Sequence, residues 1–353
     1  MRVDRSGDIG GKGAVMEVAT VTESWRLDER DPLHSHLAQI VLPRAGKAVK
    51  HPNFEVGRLS NNEAVYAYQE RESRSLFVCK FFGSRWYLSE QERKDGLNHE
   101  FKNLSTIRDM GFCRFPYRVV RPFSMDERLN CLLVEDFVRG RDLDWYITKA
   151  AYEGQRDGLF GRLTELAHFL AELHNRTAHT ARVNFADTAT YFRHVSESLA
   201  GDGLIDSGAA GNLRRLCSDW ERNAAMWEDV SVLVHGDVTP TNFIFHPHDG
   251  VTAIDLERMH SADRVYDIGM LAAELKHHFG WRVFQADAAE PFIDQFLCAY
   301  CEDFSEPESV FNAVAYRNRF YMALGELRIA RNKWLPREHR KWLTDEARRC
   351  LQS

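Results

Sequence analysis

The sequence predicts an α+β protein of two lobes, an antiparallel β-sheet lobe with one docked helix followed by a mainly α-helical lobe. Three observations predict this class. Short runs of β-type residues between 54 and 82, separated by polar turns, are typical of sequential antiparallel strands. A single amphipathic segment follows at 89–111, and helical periodicity dominates beyond about residue 160. The length of 353 residues is that of about two domains.

The first lobe is expected to span residues 54–137. Its strands are expected in the segments EVGRL, EAVYAYQ and SLFVCKFF. In the helical segment that follows, Ser89 and Glu92 have the spacing of a capping box, and Gly111 provides a stop signal. The apolar residues of this segment recur at helical spacing: Leu97, Phe101, Leu104 and Ile107. The apolar run at 131–134 predicts a further buried strand that leads into the connector between the lobes.

Residues 138–353 are expected to form the helical lobe, which begins clearly with RLTELAHFLAELHN at 162–175. Within it, Pro291, Pro307 and Pro336 each indicate a helix boundary, because proline lacks the N–H that a helix interior needs. Residues 1–53 are treated as an N-terminal extension to which the sequence assigns no role.

The composition excludes several classes of partner. Lysine and arginine number 46 against 52 aspartates and glutamates, which gives a net charge of −6. This charge is mild and of the wrong sign for a protein whose main partner is a nucleic acid or an anionic membrane. No apolar run reaches the roughly 18 residues needed to cross a bilayer. The seven cysteines are odd in number and scattered, which favours a reducing, cytoplasmic setting, while the oligomeric state stays open.

Residues 230–257, VSVLVHGDVTPTNFIFHPHDGVTAIDLE, combine a predicted β-hairpin with polar residues at its ends. If the short strands at 243–245 and 251–254 pair, Asn242 and Asp255 lie about one interstrand spacing, roughly 5 Å, apart. An amide oxygen and a carboxylate suit Mg²⁺, which needs few protein ligands when waters and substrate phosphates complete its shell. Asp237, in the loop before Asn242, is the natural third member of this group.

A phosphoryl-transfer site needs cations on the phosphates, metal ions that bridge them and a group that orients the attacking hydroxyl. Asp237 fits the last role, first by alignment and late in the transition state as proton acceptor. Taken singly, these acids are ordinary loop and turn residues. The combination of HGD, an asparagine shortly after it and a hairpin that returns to Asp255 favours the chemical interpretation.

Lys80 lies within the apolar strand segment LFVCKFF, where an unpaired ammonium would be costly to bury. It therefore needs an anionic partner. Glu100, on the apolar-flanked face of the following helix, is the best candidate, and Glu92 competes with it, although its place in the first turn suits a cap. The alternative is a surface lysine whose stem lies along the sheet while its ammonium reaches water.

The motifs HGDVTPTNF, AIDLE and ADRVYDIGMLAAEL together resemble the aminoglycoside phosphotransferase and choline kinase group within the protein-kinase-like fold, over roughly residues 54–330. The resemblance implies that Asp237 is the catalytic acid and that Asn242 and Asp255 bind the metal on ATP. It also implies that Lys80 contacts the α- and β-phosphates and that Glu100 holds this lysine.

Three further positions match structural supports of this group. The resemblance implies that His235 and Asp267 brace the catalytic loop, and that Asp263 occupies the family's Gly-Asp-Pro turn, although Ala262 and Arg264 flank it here.

The same resemblance implies how the nucleotide is held. The connector at 135–138, with Glu135 and Phe137, would offer backbone groups to adenine. The turn at 58–65 would cover the phosphates, but Ser60 and Asn61 lie where a glycine-rich turn is expected.

The sequence thus predicts an ATP- and Mg²⁺-dependent phosphotransferase that acts on a hydroxyl of a small molecule, of the aminoglycoside, sugar or amino-alcohol class. The alternatives are a protein serine/threonine kinase-like enzyme and a nucleotide-binding pseudokinase. Against a protein kinase, Leu256 and Glu257 stand where Phe-Gly is expected, and the short segment that follows leaves no room for a long activation loop. The acceptor's charge stays open, because 283–316 is acidic and 317–349 is basic.

Overall fold

The computed structural model describes residues 24–59, 64–247 and 250–352. Elements are numbered in chain order. The N-terminal half contains β1 (Ser24–Arg26), α1 (Pro32–His36), a π-helical segment (Leu37–Val41), α2 (Leu42–Arg44), β2 (Phe54–Arg58), β3 (Val65–Glu70), β4 (Leu76–Phe81), α3 (Glu90–Asp109), β5 (Tyr117–Val119), β6 (Pro122–Asp126) and β7 (Leu132–Asp136).

Six of these strands form one antiparallel sheet, in the order β1-β2-β3-β4-β7-β6. The predicted strands and the single long helix after them are confirmed. Ser89 caps α3 as predicted: its hydroxyl accepts a hydrogen bond from the backbone N–H of Glu92, whose carboxylate accepts one from the N–H of Ser89. In the central pair, Lys80 of β4 lies opposite Leu133 of β7.

The sheet carries helices on both faces rather than one. Leu97 and Leu104 of α3 pack with Leu133 on one face. On the other face, Leu37 and Val41 of the N-terminal helical segment are buried against the strands. The boundary of the lobe expected at residue 54 is therefore too late in the chain. Strand β1 pairs with β2, so residues 24–53 are part of this lobe. Their helices cover apolar residues on the outer face of the sheet, which would otherwise contact water. Residues 1–23 lie outside the described part.

The C-terminal half contains β8 (Arg141–Asp142), α4 (Leu143–Glu153), α5 (Arg156–Arg176), α6 (Phe185–Gly201), α7 (Ser207–Glu221), β9 (Val232–Val234), β10 (Phe243–Phe245), β11 (Val251–Ala253), β12 (His260–Ala262), α8 (Val265–Val283), α9 (Glu290–Glu302), α10 (Pro307–Ala330) and α11 (Arg337–Gln352). None of the helices in the described ranges combines the length and apolarity that a membrane crossing requires.

Two small sheets hold the loops of this lobe. One has the order β5-β11-β10-β8, and its β10–β11 hairpin is antiparallel with Phe243 opposite Ala253. The other pairs β9 with β12, so that the chain after the hairpin returns beside the strand that precedes the polar loop. Both sheets therefore bring their ends to the same loop cluster.

Helices α8 and α10 approach each other closely through two glycines. A Cβ built on Gly269 would lie 2.3 Å from Cβ of Tyr321, and one on Gly325 would lie 2.6 Å from Cβ of Ala273. Both distances are far shorter than real Cβ contacts, so only glycine fits. This contact fixes α10 against α8, and both helices contribute side chains to the site described below.

Gly269→Ala is therefore expected to lower the free energy of unfolding by about 2 kcal/mol or more, because the backbone of Tyr321 cannot give way. Urea denaturation of wild type and variant measures the difference. Gly161→Ala is the control: Gly161 is an exposed residue of α5 with nothing within 4 Å of its added Cβ. This control should leave stability unchanged or raise it by up to about 1 kcal/mol. An unfolding free energy of Gly269→Ala equal to wild type would contradict the close helix contact.

Candidate active site

The hairpin places Asn242 and Asp255 at neighbouring strand ends. Asn242 ends a 3₁₀ turn (Pro240–Asn242) immediately before β10, and the backbone N–H of Ile254 donates to its carbonyl at 3.0 Å. Asp255 follows with a φ of 63°, a left-handed conformation that costs a non-glycine residue about 1 kcal/mol or more. Strain of this kind is typical of functional positions, and here it sets the direction of the Asp255 carboxylate.

The side chain of Asn242 is oriented by the polar loop. Its Nδ2 donates to the backbone carbonyl of Asp237 at 3.0 Å, which leaves its amide oxygen as the group that can accept or ligate. Asp255 is 30 % exposed, and its carboxylate forms a cluster with those of Glu100 and Glu257 in which the ligand atoms lie within 4.8 Å of one another. These oxygen donors fit a hard cation such as Mg²⁺.

Asp267, in the first turn of α8, holds the loop that precedes Asp237. Its fully buried carboxylate accepts hydrogen bonds from the backbone N–H groups of His235 at 2.7 Å and Gly236 at 2.9 Å. Nε2 of His174 donates to the same carboxylate at 3.1 Å. Burial alone would raise the pKa of Asp267, but the hydrogen bond from His174 and the backbone donors hold it below its usual value.

Two further features fix the conformation of the loop that precedes Asp237. Nε2 of His235 donates to the backbone carbonyl of Ile254 at 3.1 Å, which ties the loop to the end of the hairpin. Gly236 has a φ of 80°, and a Cβ there would lie 2.2 Å from the backbone oxygen of Arg258. Only glycine therefore allows the chain to turn from His235 into Asp237.

The ammonium of Lys80 lies among three carboxylates. It contacts Glu100 at 2.6 Å, Glu135 at 3.4 Å and Asp255 at 3.8 Å. Burial alone would lower the pKa of Lys80, but these carboxylates, Glu100 above all, raise it well above its usual value. Burial raises the pKa of Glu100 and of Glu135 against the opposing effect of Lys80. Lys80 therefore stays charged and joins the sheet lobe to Asp255 of the hairpin.

The nucleotide contacts expected in the connector stay a prediction, and the structure shows how two of its residues are already engaged. Glu135 lies inside β7 opposite Val78, and its buried side chain, rather than its backbone, faces Lys80. The backbone N–H of Phe137 already donates to the carbonyl of Leu76 at 3.3 Å. Strand β7 thus extends further than the apolar run of the sequence indicates. The expected phosphate-covering residues Ser60 and Asn61 lie outside the described residues.

The structure adds residues that sequence reasoning missed. Nη2 of Arg328, on α10, donates to Oδ1 of Asp237 at 3.0 Å, and Nε of Arg258 lies 3.8 Å from its Oδ2. Glu257 pairs with Arg85 at 2.7 Å. No local motif could have predicted the role of Arg328, because 91 residues separate it from Asp237 in the sequence.

Asp263 lies apart from this cluster in a buried ion network. Its carboxylate accepts a hydrogen bond from the backbone N–H of Val265 at 3.0 Å, and Nε of Arg317 lies 2.9 Å from it. It therefore fixes the start of α8, which carries Asp267.

The sequence matches the family model of the phosphotransferase enzyme family (APH) over residues 63–310, which is most of the chain. The chain therefore belongs to this family and is a phosphotransferase with an alcohol group as acceptor. No curated protein matches the sequence significantly.

Solved structures share the fold at low sequence identity. An ethanolamine kinase from Plasmodium vivax is 13% identical with a TM-score of 0.56, over 86% of this chain and 82% of that one. The ADP-bound aminoglycoside phosphotransferase APH(2'')-Ib is 14% identical with a TM-score of 0.52, over 92% of this chain and 97% of that one. The streptomycin–ATP complex of APH(2'')-IIa is 13% identical with a TM-score of 0.52, over 93% and 97%. The protein-kinase-like fold predicted from the motifs is confirmed.

Asp267→Asn tests the anchoring of the loop. Because its pKa is depressed in the folded state, ionised Asp267 stabilises the fold above its ordinary pKa of about 3.9, and this stabilisation is lost as the pH falls through the lower folded value. The variant is expected to lose about 2–4 kcal/mol of unfolding free energy at pH 7, and to lose less than wild type on acidification below about pH 4.

Urea denaturation across this pH range measures both quantities. The exposed Asp345→Asn is the matched control and should change the unfolding free energy by less than about 1 kcal/mol. Wild-type stability in Asp267→Asn at pH 7 would show that the loop does not depend on this carboxylate.

Proposed function

We propose that the protein transfers the γ-phosphate of ATP, with Mg²⁺, to a hydroxyl group of a small molecule. The observation that carries this proposal is that the hairpin links two contacts. The side chain of Asn242 is hydrogen-bonded to the backbone of Asp237, and Lys80 lies 3.8 Å from Asp255. The hairpin places Asn242 and Asp255 at neighbouring strand ends, which supports one site for the phosphate-binding cation and the hydroxyl-orienting acid.

In this proposal the carboxylate of Asp237 accepts a hydrogen bond from the acceptor hydroxyl and aligns it for in-line attack. The oxygen of the hydroxyl forms a bond to the γ-phosphorus while the bond to the β-phosphate bridging oxygen breaks, and ADP leaves. Asp237 takes the hydroxyl proton as the new bond forms. Lys80, held by Glu100, places a fixed positive charge against the phosphates of the nucleotide.

Asn242 and Asp255 are the residues that would hold Mg²⁺. When bound, the ion neutralises charge on the phosphates of the nucleotide. The amide of Asn242 is already turned by its hydrogen bond to Asp237, and the backbone of Asp255 is fixed in its left-handed conformation. Both constraints support the assignment of these two residues as the metal ligands.

The segment between Asp255 and α8 favours a small acceptor over a protein substrate. It contains β12, which pairs with β9, and α8 begins at Val265. A long activation segment of the protein-kinase type has no place in this connection. Two adjoining cavities of about 840 and 530 Å³ share Tyr191, Arg258 and Arg328 among their lining residues, and Asp237 lines the smaller one. Cavities of this size suit a small molecule.

Asp237→Asn is expected to lower single-turnover transfer of the γ-phosphate by about 10³-fold or more, because the amide can neither accept the proton nor carry the negative charge that aligns the hydroxyl. Affinity for ADP with Mg²⁺ should stay within about threefold of wild type, since Asp237 does not contact the nucleotide in this proposal. Quenched-flow transfer from labelled ATP and calorimetric titration with ADP measure the two quantities. Equal transfer by both proteins would remove Asp237 from the reaction.

Asp255→Asn keeps a residue that tolerates the left-handed backbone and removes only the charge. The Mg²⁺ concentration that gives half of the ADP-dependent rise in melting temperature is expected to increase about tenfold or more. The exposed Asp294→Asn, on α9, is the matched control and should titrate like wild type. An unchanged Mg²⁺ requirement in Asp255→Asn would place the metal elsewhere.

A further inference from the structure

Any acceptor that brings a hydroxyl to Asp237 lies near two cations. The guanidinium groups of Arg328 and Arg258 lie 3.0 and 3.8 Å from the carboxylate oxygens of Asp237, and both line the two adjoining cavities. The side chain of Arg328 is only 15 % exposed, so it cannot turn away into solvent.

Two further arginines in these cavities have no acidic partner. Arg331, next to α10, is half-buried in the cavity that Asp237 lines, and within the described ranges it has neither an ion pair nor a side-chain hydrogen bond. Arg182, in the other cavity, meets only the backbone carbonyl of Glu228 at 3.4 Å among the described residues. Cations without a carboxylate in a concave site are free to bind an anion of the ligand.

The acids of the same cavities do not cancel this charge. Burial raises the pKa of Glu274 to about 8, despite the nearby Arg328, so this side chain is mostly neutral at pH 7. Asp202 is paired with Lys333 at 2.9 Å. Asp187, which is exposed and accepts a hydrogen bond from Asn184 at 2.9 Å, is a single acid in a cavity lined by three arginines.

The structure also separates the two charged stretches of the C-terminal region. None of the seven acids of 283–316 lines either cavity, and all of them lie in the described ranges. The basic stretch 317–349 contributes Arg328, Arg331 and Lys333. The acidic stretch that would suit a cationic acceptor thus lies outside these cavities, and three residues of the basic stretch line the cavity that Asp237 also lines.

We propose that the acceptor is an anionic hydroxyl compound, a sugar or polyol that carries a phosphate or carboxylate group, and that Arg331 binds this group while Asp237 receives the hydroxyl. The inference rests on the phosphotransferase function proposed above. Phosphate and carboxylate share the two-oxygen geometry that a guanidinium binds with parallel hydrogen bonds. An amine at the same place meets repulsion from Arg331, which has no ion pair among the described residues.

A panel of matched acceptors tests the proposal: glucose, glucose 6-phosphate, gluconate and glucosamine, and glycerol, glycerol 3-phosphate, glycerate and aminopropanediol. Binding is measured by calorimetry with ADP and Mg²⁺ present, and transfer is measured with ATP and Mg²⁺. The anionic members are expected to bind at least about tenfold more tightly than their neutral parents, and the amines more weakly than either.

Arg331→Gln is expected to raise KM for the anionic members about tenfold or more with kcat within about threefold, because the bound anion does not take part in the chemistry. Arg331→Lys should recover part of this loss. Arg214→Gln, an arginine on α7 whose side chain is 59 % exposed, is the control and should behave like wild type.

The outcomes separate this inference from the function on which it rests. Tightest binding of the amines, affinities that do not depend on charge, or no binding of any anionic member would overturn the anionic acceptor. Transfer of phosphate to a neutral or cationic acceptor would also overturn the anionic acceptor, but it would leave the proposed phosphotransferase function intact. Anion-selective binding that Arg331→Gln abolishes, without any transfer from ATP, would support the anion site and contradict the proposed reaction.

Discussion

The buried carboxylate of Asp267 is the constraint on which the site depends. It accepts hydrogen bonds from two consecutive backbone N–H groups, those of His235 and Gly236, at the point where the chain turns into Asp237. Because the carboxylate is buried, loss of these hydrogen bonds would leave it unpaired, so they stabilise this conformation of the loop. His235 then transmits this position to the hairpin through its bond to the carbonyl of Ile254. The start of α8, which carries Asp267, therefore positions both Asp237 and Asp255. Asp263 in turn fixes the start of α8.

The charged side chains on the two sides of the site differ in sign. On the proposed nucleotide side, acidic side chains predominate, because Glu100, Glu135 and Asp255 surround one ammonium, that of Lys80. Asp255 is 30 % exposed and is the proposed metal ligand among them. On the acceptor side the sign is reversed, since Arg328 and Arg258 flank a single Asp237 and Arg331 lies beyond them unpaired in the described structure. A metal–nucleotide complex on one side and an anionic acceptor on the other would each meet the opposite charge.

The parts of the site that the sequence predicted are those with a local signal. The hairpin places Asn242 and Asp255 at neighbouring strand ends, and a charged residue in an apolar strand, Lys80, requires a nearby acid. The remaining parts depend on long-range packing that no local pattern encodes. Arg328 reaches Asp237 only because glycines let α10 approach α8, and Glu135 faces Lys80 only because β7 extends beyond its apolar core. The cover over the outer face of the sheet was missed for the same reason.

Diffraction from crystals grown with ADP and Mn²⁺ tests the central claim most directly, since Mn²⁺ replaces Mg²⁺ and scatters anomalously. The proposed site predicts an anomalous peak about 2.0–2.3 Å from the amide oxygen of Asn242 and from a carboxylate oxygen of Asp255. It also predicts that the amide nitrogen of Asn242 remains bonded to the carbonyl of Asp237. A peak remote from both side chains, or an Asn242 amide turned away from the nucleotide, would contradict the account.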